Sequence, residues 1–295
     1  MSHPAITKCG NMEFHWGERT YVMGILNLSP DSFSGDGIAD PPAAIVQAQR
    51  MVAEGADVID IGGETTRPGS APISADEEIE RIVPVIRKLA SIISVPISVD
   101  TSKYEVAYQA VEAGAVMLND QWGLRRDSRL AELAAARGLP LILMSNQREK
   151  GGYDARYKAD TSNYNNVMPE MTQYLRESID LALKMKVPED NLIIDPGIGF
   201  GKNWEQNLEI IQRLSELKSL GRPILIGTSR KSFIGRVLDL PAEQRVEGTA
   251  ATIAIAIAHG ADMVRVHDVL PMVKVCRMSD AIVRRSYGEA ISKVI

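Results

Sequence analysis

Eight short apolar runs, each separated from the next by a segment with helical spacing, constrain this chain more than any other feature. The runs are Tyr21–Leu28, Val58–Ile61, Ile97–Asp100, Met117–Asn119, Leu139–Met144, Leu192–Asp195, Ile224–Thr228 and Met263–Val266. Short stretches rich in Val, Ile and Leu predict strands covered on both faces. Between them apolar residues recur at helical steps, as in Ala75–Ala90 and Met168–Met185. Repeated strand–helix units with no break in composition predict an α/β fold closed into a single (β/α)8 TIM barrel. It would span residues 1–295 as one domain, with 1–20 as an N-terminal extension. An open doubly wound sheet is the alternative.

A weak internal repeat agrees with the barrel. Gly-Ala-Asp-Val-Ile at 55–59, Gly-Ala-Val-Met-Leu at 114–118 and Gly-Ala-Asp-Met-Val at 260–264 each close a helix and open a strand. Three strand-to-helix connections are long: Ser29–Pro41, Thr65–Ser74 and Ser145–Asn166. In a barrel all three lie on the face where barrel enzymes carry their sites, and long loops there commonly act as lids.

Polar residues fall at the strand ends. The tips read Asn27; Glu64-Thr65-Thr66-Arg67; Asp100-Thr101; Asn119-Asp120; Asp195; Thr228-Ser229-Arg230-Lys231; and Arg265-Val266-His267-Asp268. A single Asp after a strand is commonly a helix cap. Capping does not require the cations Arg67, Lys231 and Arg265, so the set as a whole points to a ligand. Asp100, Asn119, Asp195 and Lys231 offer acceptors and donors suited to a flat heterocycle with a guanidine-like edge. Asn27, Thr66, Arg67, Arg265 and His267 suit phosphates, and Asn27 can ligate Mg²⁺ through its carbonyl oxygen. The Gly-rich stretch Asp195-Pro-Gly-Ile-Gly-Phe-Gly-Lys202 has neither nucleotide-loop spacing. It reads as a tight turn that lets backbone approach a ring, with Phe200 packing nearby.

The net charge of −5, without blocks of like charge, argues against a nucleic-acid partner. The longest apolar run, Ala250–Ala258, falls short of the roughly 20 residues that cross a bilayer. Two isolated cysteines, Cys9 and Cys276, and no signal-peptide core predict reduced thiols in a cytoplasmic protein without a membrane partner.

Seven segments together resemble the dihydropteroate synthase family. They are Met23–Ser34, Asp60–Gly69, Ser98–Thr101, Asn119-Asp120, Asp195–Lys202, Gly227–Gly235 and Arg265–Asp268, in the family's order. The resemblance implies joining of a dihydropterin pyrophosphate to p-aminobenzoate, with Mg²⁺ as cofactor and pyrophosphate released. Asp100, Asn119, Asp195 and Lys231 would hold the pterin, and Thr66, Arg67, Arg265 and His267 the pyrophosphate, with Asn27 on the metal. Phe33, Pro68, Ser229 and Lys231 would line the p-aminobenzoate pocket, where sulfonamides would compete. Asp100, Lys231, Asp31 and Arg67 are the candidate catalytic residues. A homodimer is also implied. The chain departs from the family pattern at Ser29, where Thr is common, at Ser145, where His is usual, and in the polar insert 150–166. Two other readings stand beside this one: a methyltetrahydrofolate:corrinoid methyltransferase, and a silent pterin-binding barrel. Dissociative and direct displacement courses both stay open.

Overall fold

The structure is a computed structural model that describes residues 6–29, 37, 40–65, 71–146 and 165–284. The chain opens with an antiparallel hairpin, β1 (Ile6–Cys9) and β2 (Met12–His15). Strand–helix units follow: β3 (Tyr21–Asn27), α1 (Pro41–Ala53), β4 (Val58–Gly62), α2 (Ala75–Ala90), β5 (Ile97–Asp100) and α3 (Tyr104–Ala113). Next come β6 (Met117–Asp120), α4 (Arg129–Arg137), β7 (Leu141–Met144), α5 (Val167–Lys184), β8 (Leu192–Asp195) and α6 (Trp204–Gln212). The last part holds β9 (Leu225–Ile226), α7 (Ser232–Leu238), α8 (Val246–Ala258), β10 (Met263–Val266) and α9 (Val269–Val283).

Strands β3 to β10 form one parallel sheet in the order β8-β7-β6-β5-β4-β3-β10-β9. The ends of that list meet through a parallel bridge between Ile194 and Ile224, so the sheet curls into a barrel and the open-sheet alternative is excluded. This seam is thin for a chemical reason. Pro223 has no N–H to donate, and the Ile224 N–H is taken by the Asp262 carboxylate at 3.0 Å. The expected strand Ile224–Thr228 therefore shrinks to Leu225–Ile226. Likewise the run from Leu139 pairs only from Leu141 onward, after Pro140.

The pleat sorts residues into two cores, because side chains alternate across a strand. Val22, Ile59, Val99, Leu118, Leu143, Ile194, Ile226 and Val264 face the helices. Tyr21, Met23, Val58, Met117, Ile142, Ile193, Leu225 and Met263 face inward and fill the lower barrel. The hairpin closes that end: Phe14 and Trp16 join the inner cluster, with Phe14 stacked 5.2 Å from Trp16 and edge-on at 4.8 Å to Tyr21. Counting two residues on from the inward positions reaches the next layer, where four of them turn polar: Val58 leads to Asp60, Met117 to Asn119, Ile193 to Asp195 and Met263 to Arg265, while Met23 and Ile142 lead to the apolar Ile25 and Met144. The apolar plug thus supports a polar layer at the C-terminal mouth.

Among the described residues, no helix is long and apolar enough to cross a membrane. Cys9 and Cys276 are buried and unpaired, and burial pushes both thiols up to about 12.

Candidate functional site

The mouth encloses a cavity of about 420 Å³ bounded by Asp100, Asn119, Asp195, Phe200, Ser229, Lys231, Arg265 and His267, with Ile25, Gln121, Met144 and Gly227 completing the wall. Asp100, Asn119, Asp195, Lys231, Phe200, Ser229, Arg265 and His267 therefore come together from five strand ends. Asp31, Phe33, Thr66, Arg67 and Pro68 lie outside the described residues.

A buried ion network organises the floor. Arg265 donates from Nε to Asp60 Oδ2 at 2.6 Å and from Nη2 to Asp100 Oδ2 at 2.8 Å. Asn119 Nδ2 donates to Asp60 Oδ2 at 2.9 Å, while Asp60 Oδ1 is buried with no hydrogen-bond partner. Arg265, grouped by residue type with the phosphate set, thus directs these donors at two carboxylates. Asp60 drew no attention in the sequence, yet the signal was available. A charge at an inward position of a fully buried strand must be paired, because an isolated buried carboxylate is costly.

Burial pushes the Asp100 carboxyl up to about 7, against the pull of Arg265 and Gln121, and Asp60 adds to the rise. Asp195 is also raised by burial, opposed by the Gly197 N–H bond at 2.6 Å and by Lys231. Burial alone would lower Arg265, but Asp60 and Asp100 outweigh it and hold the guanidinium charged. Lys231 Nζ donates to the Ile198 carbonyl and stands 4.5 Å over the Phe200 ring. The layer thus offers carboxylates as acceptors and Asn119, Lys231 and Arg265 as donors around one slot. A flat ring carrying both N–H groups and a carbonyl is the complementary shape.

An outer cavity of about 1140 Å³ adjoins this slot, sharing Ile25 and His267 and bounded also by Asn27, Gly37, Arg230 and Asp268. His267 Nδ1 lies 2.8 Å from Ser229 Oγ, and the His267 backbone N–H donates to the same oxygen at 3.2 Å. Arg230 forks onto Asp268 at 2.9 and 2.6 Å.

Residues 23–267 match the pterin binding enzyme family. The dihydropteroate synthase of Clostridium beijerinckii is 48% identical over 94% of this chain and 100% of its own length. That of Bacillus subtilis is 46% identical over 91% and 90%. The chain belongs to the dihydropteroate synthase family. Solved structures of synthases agree. One from Clostridium difficile, obtained in the presence of pteroic acid, has TM-score 0.83 at 45% identity and covers 92% of this chain and 99% of its own. One from Yersinia pestis, in a sulfonamide complex, has TM-score 0.87 at 38% identity and covers 94% and 98%.

In this synthase the stretch 195–202 is held as a rigid turn. The Lys202 ammonium, almost fully buried, donates to the carbonyls of Ser145, Gly197 and Phe200 at 3.2, 3.0 and 3.0 Å. The lysine that superficially resembled a phosphate-loop residue is a staple. Gly197 has φ +68°, and a Cβ added there would sit 2.0 Å from the Ser145 carbonyl oxygen. Gly197→Ala is expected to cost about 2–4 kcal/mol and to weaken pterin binding, because the turn must shift away from Ser145 and carries with it the backbone N–H that Asp195 accepts from. Thermal unfolding together with pterin titration checks this, and a variant matching wild type in both contradicts it.

Asp120, adjacent to the pocket-lining Asn119, points elsewhere. Its oxygens accept from the Trp122 and Leu124 N–H groups at 2.9 and 2.6 Å and so shape the loop after β6. Asn27 is half-buried at the tip of β3, and among the described residues no group of three His, Cys, Asp or Glu gathers to cage a metal. One neutral oxygen beside an anion-sized cavity fits a hard cation that completes its shell with water and phosphate oxygens.

Proposed function

We propose that this site condenses a 6-hydroxymethyl-7,8-dihydropterin pyrophosphate with p-aminobenzoate, giving 7,8-dihydropteroate and pyrophosphate in folate synthesis. The observation that carries the reading is the pairing of acceptors and donors around one slot, with Asp100 and Asp195 facing Asn119, Lys231 and Arg265. These groups would grip the ring. The outer cavity would take the pyrophosphate at Asn27 and His267, with Arg265 reaching it from the inner slot and with Thr66 and Arg67. Asn27 would hold Mg²⁺, which when bound supplies charge neutralisation on the leaving oxygens.

The protein's own contribution is electrostatic. As the carbon–oxygen bond to pyrophosphate breaks, positive charge grows on the pterin methylene and ring. The buried Asp100 carboxylate faces that charge without needing to reorganise, which is how enzymes gain most from fixed charges. Anion charge grows toward Arg265 and His267. Bond breaking then runs ahead of attack by the p-aminobenzoate amine, which would enter beside Ser229, Lys231, Phe33 and Pro68. No protein nucleophile takes part; Asp31 and Arg67, outside the described residues, would assist.

Reduced, buried thiols support a cytoplasmic setting. Exposed Ile255 on α8, with Met278 and Ile282 on α9, supports a homodimer. The test is to supply the pterin pyrophosphate, p-aminobenzoate and Mg²⁺ and measure pyrophosphate. Release that requires both organic substrates, and is slowed competitively against p-aminobenzoate by a sulfonamide, is the expected result. Tight pterin binding with no release would identify a silent barrel and overturn the reading.

A further inference from the structure

Gln121 is the first residue after β6, and its backbone is fixed from two sides. Asp120 shapes the turn that follows it, and Asn146 Nδ2 donates to the Gln121 carbonyl at 3.1 Å. The side chain reaches Asp100. Gln121 Nε2 lies 2.6 Å from Asp100 Oδ1 and 2.7 Å from Oδ2, so one amide nitrogen spans the whole carboxylate. The reverse amide orientation would set a carbonyl oxygen against that carboxylate, which fixes the donor's side.

Asp100 and Gln121 both border the ring slot, and both also border a second cavity of about 270 Å³. The pair is therefore the partition between them. Beyond it stand Glu64 and Glu78, which share Lys103 Nζ at 3.0 and 2.6 Å, and each keeps a second oxygen buried with no hydrogen-bond partner. The charged groups around Asp100 are thus Asp60 on β4, Glu64 after β4, Glu78 on α2, Lys103 before α3, Arg126 before α4, Asp195 on β8, Lys231 after β9 and Arg265 on β10. Carboxylates and cations balance, four to four, until Asp100 itself is counted and tips the set to five carboxylates.

We propose that Gln121 is a positioning residue for the reaction: it holds the Asp100 carboxylate toward the ring slot and shields it from the Glu64–Glu78 pair. This rests on the synthase reading above. The carboxylate's remaining lone pairs are left for the pterin N–H groups, so Gln121 stays in place when substrate binds. Asp100 titrates near neutrality. Removing a donor that favours its charged form moves that titration upward.

The test measures kcat/KM for the pterin pyrophosphate from pH 5.5 to 9, with p-aminobenzoate and Mg²⁺ saturating, in wild type, Gln121→Met and Gln121→Glu. The free enzyme's acid limb is what this ratio reports. Methionine keeps the reach and loses the donor, so the acid limb is expected to move up by about one to two pH units. At pH 7 the ratio falls roughly tenfold and recovers toward pH 9. Glutamate forces a shared proton and moves the limb further. A loss equal at every pH, or a wild-type profile in both variants, would overturn the proposal and leave Gln121 a packing residue. Absence of pyrophosphate release by wild type would instead sink the synthase reading, so the two failures are distinct.

Discussion

Asp100→Asn is expected to lower kcat/KM for the pterin substrate by roughly two to three orders of magnitude, yet leave the unliganded protein at least as heat-stable as wild type at pH 8. The two halves follow from one fact, the burial of this carboxylate at the barrel mouth. In turnover its charge faces the cation that develops on the pterin, and asparagine removes that charge without changing shape. In folding the same charge is a cost. Burial raises Asp100 from an ordinary carboxylate to about 7, so the native state holds its proton where the unfolded chain has already lost it. Stability from this group therefore falls as pH rises from about 4 to about 7, and above that the buried charge remains as a standing cost. Asparagine imitates the protonated form. Arg265 keeps Asp60 at 2.6 Å, so the variant does not strand the guanidinium. Thermal melts at pH 5 and pH 8 beside steady-state kinetics check both halves; near wild-type turnover, or a melt much lower at pH 8, contradicts the assignment.

Arg265→Met should fail in the opposite way, losing both activity and stability. It leaves Asp60 and Asp100 facing each other in the barrel with their shared cation gone. Stranding a partner of a buried ion pair costs about 3–5 kcal/mol. The loss should be greatest at pH 8, where Asp100 has lost its proton. It should shrink toward pH 5, as Asp100 takes up its proton and relieves the repulsion. Urea unfolding at the two pH values measures the difference. An equal loss at both would mean that packing, rather than charge, is what Arg265 supplies. Turnover should drop by two orders of magnitude or more, because the ring slot loses a donor and Asp100 loses its counter-ion.

The barrel was legible because short apolar runs and the helical spacing between them are local signals, and both survive into the fold. Most ends agree with the residue pattern, and α2 at Ala75–Ala90 matches to the residue. The exceptions have physical causes. The hairpin at the start was read only as a polar extension, although Cys9-Gly-Asn-Met12 carries a Gly-Asn pair at its turn, with Gly10 at φ +59°. Strand β9 shrank because an aspartate side chain took its amide. In the site, residues that line the inner slot were legible by type, as with Asp100, Asn119, Asp195 and Lys231. Residues that act by holding another residue were not. Asp60 bonds Arg265, Gln121 bonds Asp100, and Lys202 bonds the Ser145 carbonyl, all pairs distant in sequence. Asp31, Phe33, Thr66, Arg67 and Pro68 belong to loops outside the described residues.

The central claim is that one slot grips a pterin while the adjoining cavity takes its pyrophosphate. A crystal structure with the pterin pyrophosphate and Mg²⁺ tests it most directly. The ring should lie bonded to Asp100, Asn119, Asp195 and Lys231, its diphosphate reaching Asn27 and His267 past Arg265. A ring seated elsewhere, or a diphosphate turned away from Asn27 and His267, would contradict it.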